Sequence, residues 1–456
     1  MFNRIFAVAS LALAASGPLY AAPQEDVDAL RADFDAKLKS LQADYEARLK
    51  ALESRVHLNE IEADNAQQEV AASTSPPAAA NALNPEISLI LQGAYIDRAG
   101  GERPITGFMP AGEHAHGKRG FTLDHTEVVA SANVDPYSRA FVNLALADEE
   151  VEVEEAWFQS LRLGHGLTVK GGRFRSGIGY QNERHPHAWD FADNSLMYSA
   201  LFGEALKQDG LQLRWLAPTE LFLELGAEVA KGQFFPGSDG GADKNGAGAW
   251  AAFAHVGGDV GAAHSWRAGL SYLRASPRER EAFLDDINDF EALTAFSGRS
   301  RTWLADFVWK WAPDGNPRQR NVIFAAEYFN RDEDGDLACQ DDSAAGGACL
   351  GLRDRYDNAQ SGGYVQAIYQ FMPRWRTGLR YDRLDGGSVN FATNGAFFDA
   401  VDFDPSRWSL MTDYSPSEFS RFRLQFARDK SFQDDPDNQV ILQYIMSIGA
   451  HGAHKF

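Results

Sequence analysis

Positive charge, cysteine and long apolar runs are the scarce features of this 456-residue chain. Lysine and arginine number 43 against 64 aspartates and glutamates, a formal net charge of −21. That deficit excludes the basic footprint of a nucleic-acid binder and a polybasic patch for anionic lipid. No run of about 18 apolar residues follows the N-terminus, which excludes a helical membrane protein. A transmembrane β-barrel stays open, because alternating strands average to the hydropathy of a soluble chain. The two cysteines, Cys339 and Cys349, lie ten apart in a Gly/Asp-rich stretch, a spacing that suits a local disulfide in an oxidising compartment. Gly-x-Ser-x-Gly, a phosphate-cradling glycine loop before a helix and a catalytically spaced Cys/His pair are all absent, so the chain reads as a non-enzyme. His125, between Asp124 and Glu127, is the one titratable cluster along the sequence that invites an enzymatic reading.

What is present falls into four segments. Asn3 and Arg4 precede the short apolar stretch Ile5 to Leu13, and Leu19-Tyr20-Ala21 offers a cleavage site, so 1–21 reads as a secretory signal peptide. Residues 22–70 read as a helix with an eleven-residue repeat. Its apolar positions, 30, 34, 38, 41, 45, 49, 52 and 56, step by 4, 4 and 3, the period of a nearly straight coiled coil. Such a narrow stripe needs partner helices to cover it. At 1.5 Å per residue, the roughly 45 residues from 26 to 70 would reach about 65 Å. Residues 71–84, with Pro76-Pro77 and many small side chains, read as a linker.

From 85 to 456 the period changes to two. Leu211, Leu213 and Trp215 alternate with Gln212 and Arg214; Phe422, Leu424 and Phe426 alternate with Arg421, Arg423 and Gln425. Connections alternate between tight turns, such as Asp135-Pro136-Tyr137-Ser138 and Met372-Pro373-Arg374, and long stretches near 97–120, 176–206, 231–247, 275–299, 332–361, 385–403 and 429–437. Tight turns at one rim and long loops at the other predict a transmembrane barrel rather than a sandwich. The fold class is therefore all-β, a transmembrane antiparallel β-barrel of about 16 strands (14 to 18) preceded by a coiled-coil helix. Strands are expected to begin near 86, 121, 139, 151, 167, 207, 220, 248, 264, 300, 320, 362, 375, 405, 419 and 438. Trp215, Trp266, Tyr272, Trp303, Trp309, Trp311, Tyr369, Phe371 and Trp375 are expected to form the outward aromatic girdle.

The alternating segment Val440 to Ile448 and the terminal Phe456 resemble the assembly signal of bacterial outer-membrane proteins. Signal peptide, coiled coil, linker and barrel together resemble the trimeric outer-membrane porins with an N-terminal periplasmic coiled coil, of the carbohydrate-porin and phosphate-selective porin O/P types. The resemblance implies a homotrimer in the outer membrane, contact with lipid and lipopolysaccharide, a helix in the periplasm directed towards peptidoglycan, and passage of small solutes or ions. It also implies that the third external loop folds into the lumen.

The segment 176–206 has that place, after the fifth expected strand. Gly177 and Gly179 permit an inward bend, and Glu183, Arg184, His185, His187 and Asp190 are the candidate constriction residues. Arg376, Arg380, Arg421 and Arg423 are expected to line one wall of the pore, and Glu224, Glu228, Asp306 and Glu327 another, giving a transverse field. No cofactor is required by this reading. Two candidate ion sites stand beside it: His114 and His116 meeting His185 and His187 around Zn or a similar metal, and Ca on the run Asp332, Asp334, Asp336, Asp341 and Asp342. The leading function is a diffusion porin for small hydrophilic solutes. The alternatives are a specific uptake channel or binder for a metal ion such as zinc, and a tether from outer membrane to cell wall.

Overall fold

The computed structural model describes residues 36–37, 39, 85–100, 104–109, 119–123, 125–147, 150–288, 290–341, 349–398, 400–433 and 436–449. The chain divides into two units, Met1–Asn81 and Ala82–Phe456. In the first, residues 36, 37 and 39 are helical. The expected signal peptide, the linker 71–84 and the rest of the coiled coil lie outside the described residues, as do His114 and His116.

The second unit is a closed antiparallel β-barrel. Its strands are β1 (Glu86–Asp97), β2 (Gly120–Leu123), β3 (Thr126–Asp135), β4 (Ser138–Ala147), β5 (Glu150–Ser160), β6 (Leu167–Arg175), β7 (Lys207–Leu216), β8 (Phe222–Ala230) and β9 (Ala249–Val260). They continue with β10 (His264–Ala275), β11 (Arg280–Asp285), β12 (Glu291–Trp311), β13 (Asn321–Asp341), β14 (Arg353–Met372), β15 (Trp375–Asn390), β16 (Ser406–Ser417), β17 (Ser420–Lys430) and β18 (Asp437–Gly449). The ladder closes where Ser88 to Asp97 pairs with Gly449 to Val440. β2 and β3 both pair with β1 and form one stave, interrupted at His125 with φ of 52°. β11 pairs with the upper part of β12 and continues the stave of β10. The wall therefore has the sixteen staves expected from the alternation.

The tight turns have local causes. At Asp135 the side-chain carboxylate accepts from the Tyr137 amide (2.8 Å) and the Ser138 hydroxyl (2.9 Å), which closes the β3–β4 hairpin. At the other rim the structure corrects the expected loops. Much of 275–299, 332–361 and 385–403 is strand: β12 and β13 run for 21 residues each, β14 for 20 and β15 for 16. Their upper parts form a tower. Its outward face is charged, with Arg299 and Arg301 each 2.7 Å from Asp334. Of the acidic run read as a calcium loop, Asp332, Asp334, Asp336 and Asp341 are thus part of β13, with Asp334 and Asp336 paired to arginines of the neighbouring strands, and Asp342 lies outside the described residues. Cys339 and Cys349 are joined by a disulfide near the top of this tower.

Below the charged tower the outward face is aromatic and aliphatic. Trp250, Tyr272 and Trp303 form one band (4.6–5.1 Å between ring centres), continued by Tyr381 and Trp408. Trp375 with Tyr414, and Phe422 with Tyr444, form a second band near the tight turns. Trp375 and Tyr381 are six residues apart on β15, roughly 20 Å along the strand. Between the bands lie exposed Leu379, Leu410, Leu424 and Leu442.

The core sits inside the barrel. A two-turn helix, Leu196–Phe202, buries every residue except Ser199. It packs with Phe253, Leu273, Leu304, Phe329, Tyr364 and Leu384 from the inner wall. Burying each large apolar side chain here stabilises the docked segment by roughly 1.5–3 kcal/mol. The sequence reading placed only polar residues on the inner face. In fact Leu304 and Val308 flank Asp306 on the inner face of β12, because both face this packed insert.

Candidate functional site

The segment 176–206 enters the lumen directly from β6. Gly179 has φ of 69°, and a Cβ there would sit 2.3 Å from the Tyr198 hydroxyl; at Gly177 it would sit 2.4 Å from the Phe253 ring. The two glycines therefore permit both the bend and the close approach. Asn182 ties the neck, donating to Ser176 O (2.7 Å) and Leu206 O (3.1 Å) and accepting from Leu206 N (2.7 Å).

All eight expected pore-lining residues point inward, and seven of them hydrogen-bond to this insert or to a residue that does. The acidic side binds its amides. Glu228 accepts from Ser176 Oγ (2.6 Å) and Gly177 N (2.8 Å), and Glu327 accepts from Tyr180 N and Gln181 N (2.9 Å each). Arg214 joins Glu183 of the insert to Glu224 of β8. Asp306 faces Arg267 at 3.5 Å, whose guanidinium donates to Gly179 O. The basic side binds its carbonyls. Arg423 donates to Trp189 O and Phe191 O (2.7 Å each), Arg421 to Trp189 O (3.3 Å), and Arg380 to Asp193 O (3.0 Å) and Asn194 O (3.1 Å). Arg376 reaches Asp190 (3.1 Å), and Asp193 is held between Arg380 (2.6 Å) and Arg407 (3.0 Å). The two walls of opposite sign thus grip opposite ends of backbone dipoles.

Apolar seats add to these bonds. Tyr180 packs on Val308 and Ala325, Phe191 on Ile368 and Met411, and Ala192 on Ala94, Ile96 and Ile441. The insert touches staves almost all round the barrel, so it is a plug more than an eyelet. A small pocket remains beside it, bordered by Tyr180, Arg184, Asp190, Tyr364, Gln366 and Arg380. Burial alone would raise the Asp193 carboxyl, but Arg407 and Arg380 prevail and bring its pKa to about 2. Asp190 is likewise held below the usual carboxylate range by Arg184 and Arg376 against its burial.

His185 and His187 were expected at the constriction, meeting His114 and His116 around a metal. They lie instead at the base of the insert, against β3, β4 and β5. His187 Nδ1 is 2.8 Å from Glu127 Oε1, and His185 has Nδ1 3.1 Å from Glu154 and Nε2 2.9 Å from Glu155. Burial and Arg175 oppose charge on His185, but its bonds to Glu154 and Glu155 overcome them and raise its pKa to about 10. Two adjacent glutamates can clasp one ring because the register slips between Asn143 and Leu144, where Asn143 faces Glu155 and Leu144 faces Val153. Glu154 is the extra residue of a bulge, so both carboxylates turn inward. Two sets of potential metal ligands result: Glu127, Glu154 and His185, and His125, Glu154 and Glu204.

Glu154, Glu155, Arg175, Asn143, Asp193 and Arg407 were missed from sequence. The alternating Glu150-Val-Glu152-Val-Glu154-Glu155 was the available signal for an acidic inner face on β5. No side-chain pattern announces the bulge.

No protein-family model matches the chain. Among solved structures, it is similar to a loop L8 deletion mutant of the outer membrane protein OmpT of Vibrio cholerae (12% identity, 81% of this chain and 100% of that one, TM-score 0.48). It is similar too to OprB of Pseudomonas putida (13%, 80% and 94%, TM-score 0.48) and to the outer membrane channel DcaP of Acinetobacter baumannii (14%, 80% and 97%, TM-score 0.48). The barrel assignment rests on the closed ladder itself. In sequence the chain is 31% identical over 404 residues to an uncharacterized protein of Aquifex aeolicus (strain VF5), covering 83% of this chain and 81% of that protein. At that identity and coverage, the chain belongs to the family of this Aquifex aeolicus protein.

Proposed function

We propose that this chain is an outer-membrane channel for small hydrophilic solutes or ions, with flux controlled by the insert 176–206. One observation carries the reading: a closed barrel with aromatic bands outside surrounds charged walls, and those walls hold the inward-folded segment 176–206. Lipid and lipopolysaccharide would contact the outer bands. The segment 1–21 would direct export, and the 22–70 helix would assemble a homotrimer in the periplasm and reach towards peptidoglycan. Conductance of the purified protein in planar bilayers is the test. Small steps, grouped in threes, support a trimeric channel with a narrow passage. Folded barrels that never conduct remove the channel reading.

The buried histidine and glutamate sets favour a second reading, in which the cargo is a metal ion such as zinc. A ZnCl₂ gradient separates the two. A reversal potential set by zinc supports metal selectivity, and one set by all ions alike removes it.

A further inference from the structure

The junction between the insert and β3, β4 and β5 gathers more than a triad. His185 Nδ1 lies 3.1 Å from Glu154 Oε2 and 3.7 Å from Glu127 Oε2. The Asn143 carboxamide nitrogen faces all three, at 2.7 Å from Glu127 Oε2, 3.1 Å from His185 Nδ1 and 3.4 Å from Glu154 Oε2. Five of the six separations among these four atoms thus lie between 2.7 and 3.7 Å, and the ligand atoms of Glu127, Glu154 and His185 all lie within 4.8 Å of one another. Ligands at about 2.0–2.1 Å from a tetrahedral ion are about 3.3–3.4 Å apart, so the measured edges bracket the required one. Independently, Asn143 Oδ1 is buried with no hydrogen-bond partner among the described residues. Turning the carboxamide over exchanges its oxygen for its nitrogen at nearly the same point. That rotation gives up the amide's hydrogen bonds to Glu127 and Glu154, turns the oxygen into the site, and completes a set of one imidazole and three oxygen donors for an ion.

We propose that Glu127, Asn143, Glu154 and His185 form a binding site for one first-row divalent transition ion, which fastens the insert to three neighbouring strands. The surroundings are those of a metal site. The far nitrogen of His185 faces Glu155 at 2.9 Å, the arrangement that fixes a ligating imidazole by its other N–H. Glu127 uses its other oxygen for His187, and Arg175 supports Glu154 at 3.1 Å. Two carboxylates balance the charge of a divalent ion. One nitrogen with three oxygens suits Zn²⁺ and its neighbours better than the oxygen-only set of Ca²⁺. The second set, His125, Glu154 and Glu204, shares Glu154 with the first and adds no contact to β3 or β4 through Glu127 or Asn143. The site concerns how the insert is held, so it stands whatever solute passes and does not rest on the diffusion reading.

The test is calorimetric titration of the full-length, detergent-folded protein with ZnCl₂, with CaCl₂ in parallel. One Zn²⁺ per chain is expected, with Ca²⁺ at least about 100-fold weaker. His185→Gln and Glu127→Gln should each weaken Zn²⁺ by about 100-fold or more, and Glu155→Gln by about 10- to 100-fold. His165→Gln, in a turn at the opposite end of β6, should leave it unchanged. X-ray absorption of the zinc-loaded wild type needs no variant to fold, and should give one imidazole in an oxygen-rich four-coordinate shell. No binding, binding that survives His185→Gln in folded protein, or a shell with two or more imidazoles would each overturn the site.

Discussion

Glu327 accepts four hydrogen bonds, two at each carboxylate oxygen, three of them from the insert and one from Tyr364 of β14. Tyr180 N and the Tyr198 hydroxyl reach one oxygen (2.9 Å each), and Gln181 N (2.9 Å) and the Tyr364 hydroxyl (2.6 Å) reach the other. Glu327→Gln keeps the shape but turns one acceptor into a donor, so at least one amide loses its partner. A buried donor left unsatisfied costs about 1–3 kcal/mol. The expected outcome is a folded barrel whose insert is cut by trypsin at Arg184; resistance equal to wild type would refute the role given to Glu327. Asp193 supplies a pH test. Its folded pKa of about 2 lies below the unfolded value near 3.9. Its contribution is therefore full above about pH 4 and is lost as the pH falls through 2. The same tryptic site, exposed after pulses at graded acid pH, should stay protected at pH 4 and open only near pH 2. The inward direction of Arg376, Arg380, Arg421 and Arg423 was legible because each alternates with an outward Trp375, Leu379, Phe422 or Leu424. Their partners were not, because they include the carbonyls of Trp189, Phe191 and Asn194, and backbone carries no sequence signal.

At the scale of elements, the starts of the staves were legible wherever a tight turn with Asp, Pro or Gly punctuates the alternation. Their upper ends were not. Along 291–299, 332–341 and 353–361 the outward face meets water instead of lipid, so arginine and aspartate replace Trp and Leu and the strands read as loops. The 176–206 segment was legible as an inward loop from its glycines and its place after the fifth stave. Its packing was hidden, since Leu304, Val308 and Phe329 interrupt an otherwise polar inner face. The Cys339–Cys349 bond belongs to the tower and not to the barrel. Closing a loop of this length is worth about 3 kcal/mol in the chain-entropy account. The double variant Cys339→Ser with Cys349→Ser should lose protease resistance at the tower and keep the thermal transition of the barrel. A lower transition temperature for the whole barrel would show that the tower is not an independent unit.

For the whole molecule, the charge of −21 says little about passage, because the walls inside are of both signs and are occupied. Arg376, Arg380, Arg407, Arg421 and Arg423 face the lumen with Asp382, Asp413 and Asp429, an excess of two positive charges. Glu224, Glu228, Asp306 and Glu327 face it with Arg214, Arg267 and Lys310, a formal excess of one negative charge. In the native protein much of this field is spent on the insert, whose amides lie on the acidic wall and whose carbonyls lie on the basic one. Replacing residues 183–203 with a short Gly/Ser linker should therefore do two things at once. It should empty a barrel of sixteen staves, a size that leaves an aqueous channel, and raise conductance several-fold. It should also free both walls, so that Glu228→Gln shifts the reversal potential towards anions and Arg423→Gln towards cations, shifts that the intact protein shows weakly. Conductance of the linker variant equal to wild type would mean that the insert does not control the passage, and the plug reading would fall even with the barrel intact.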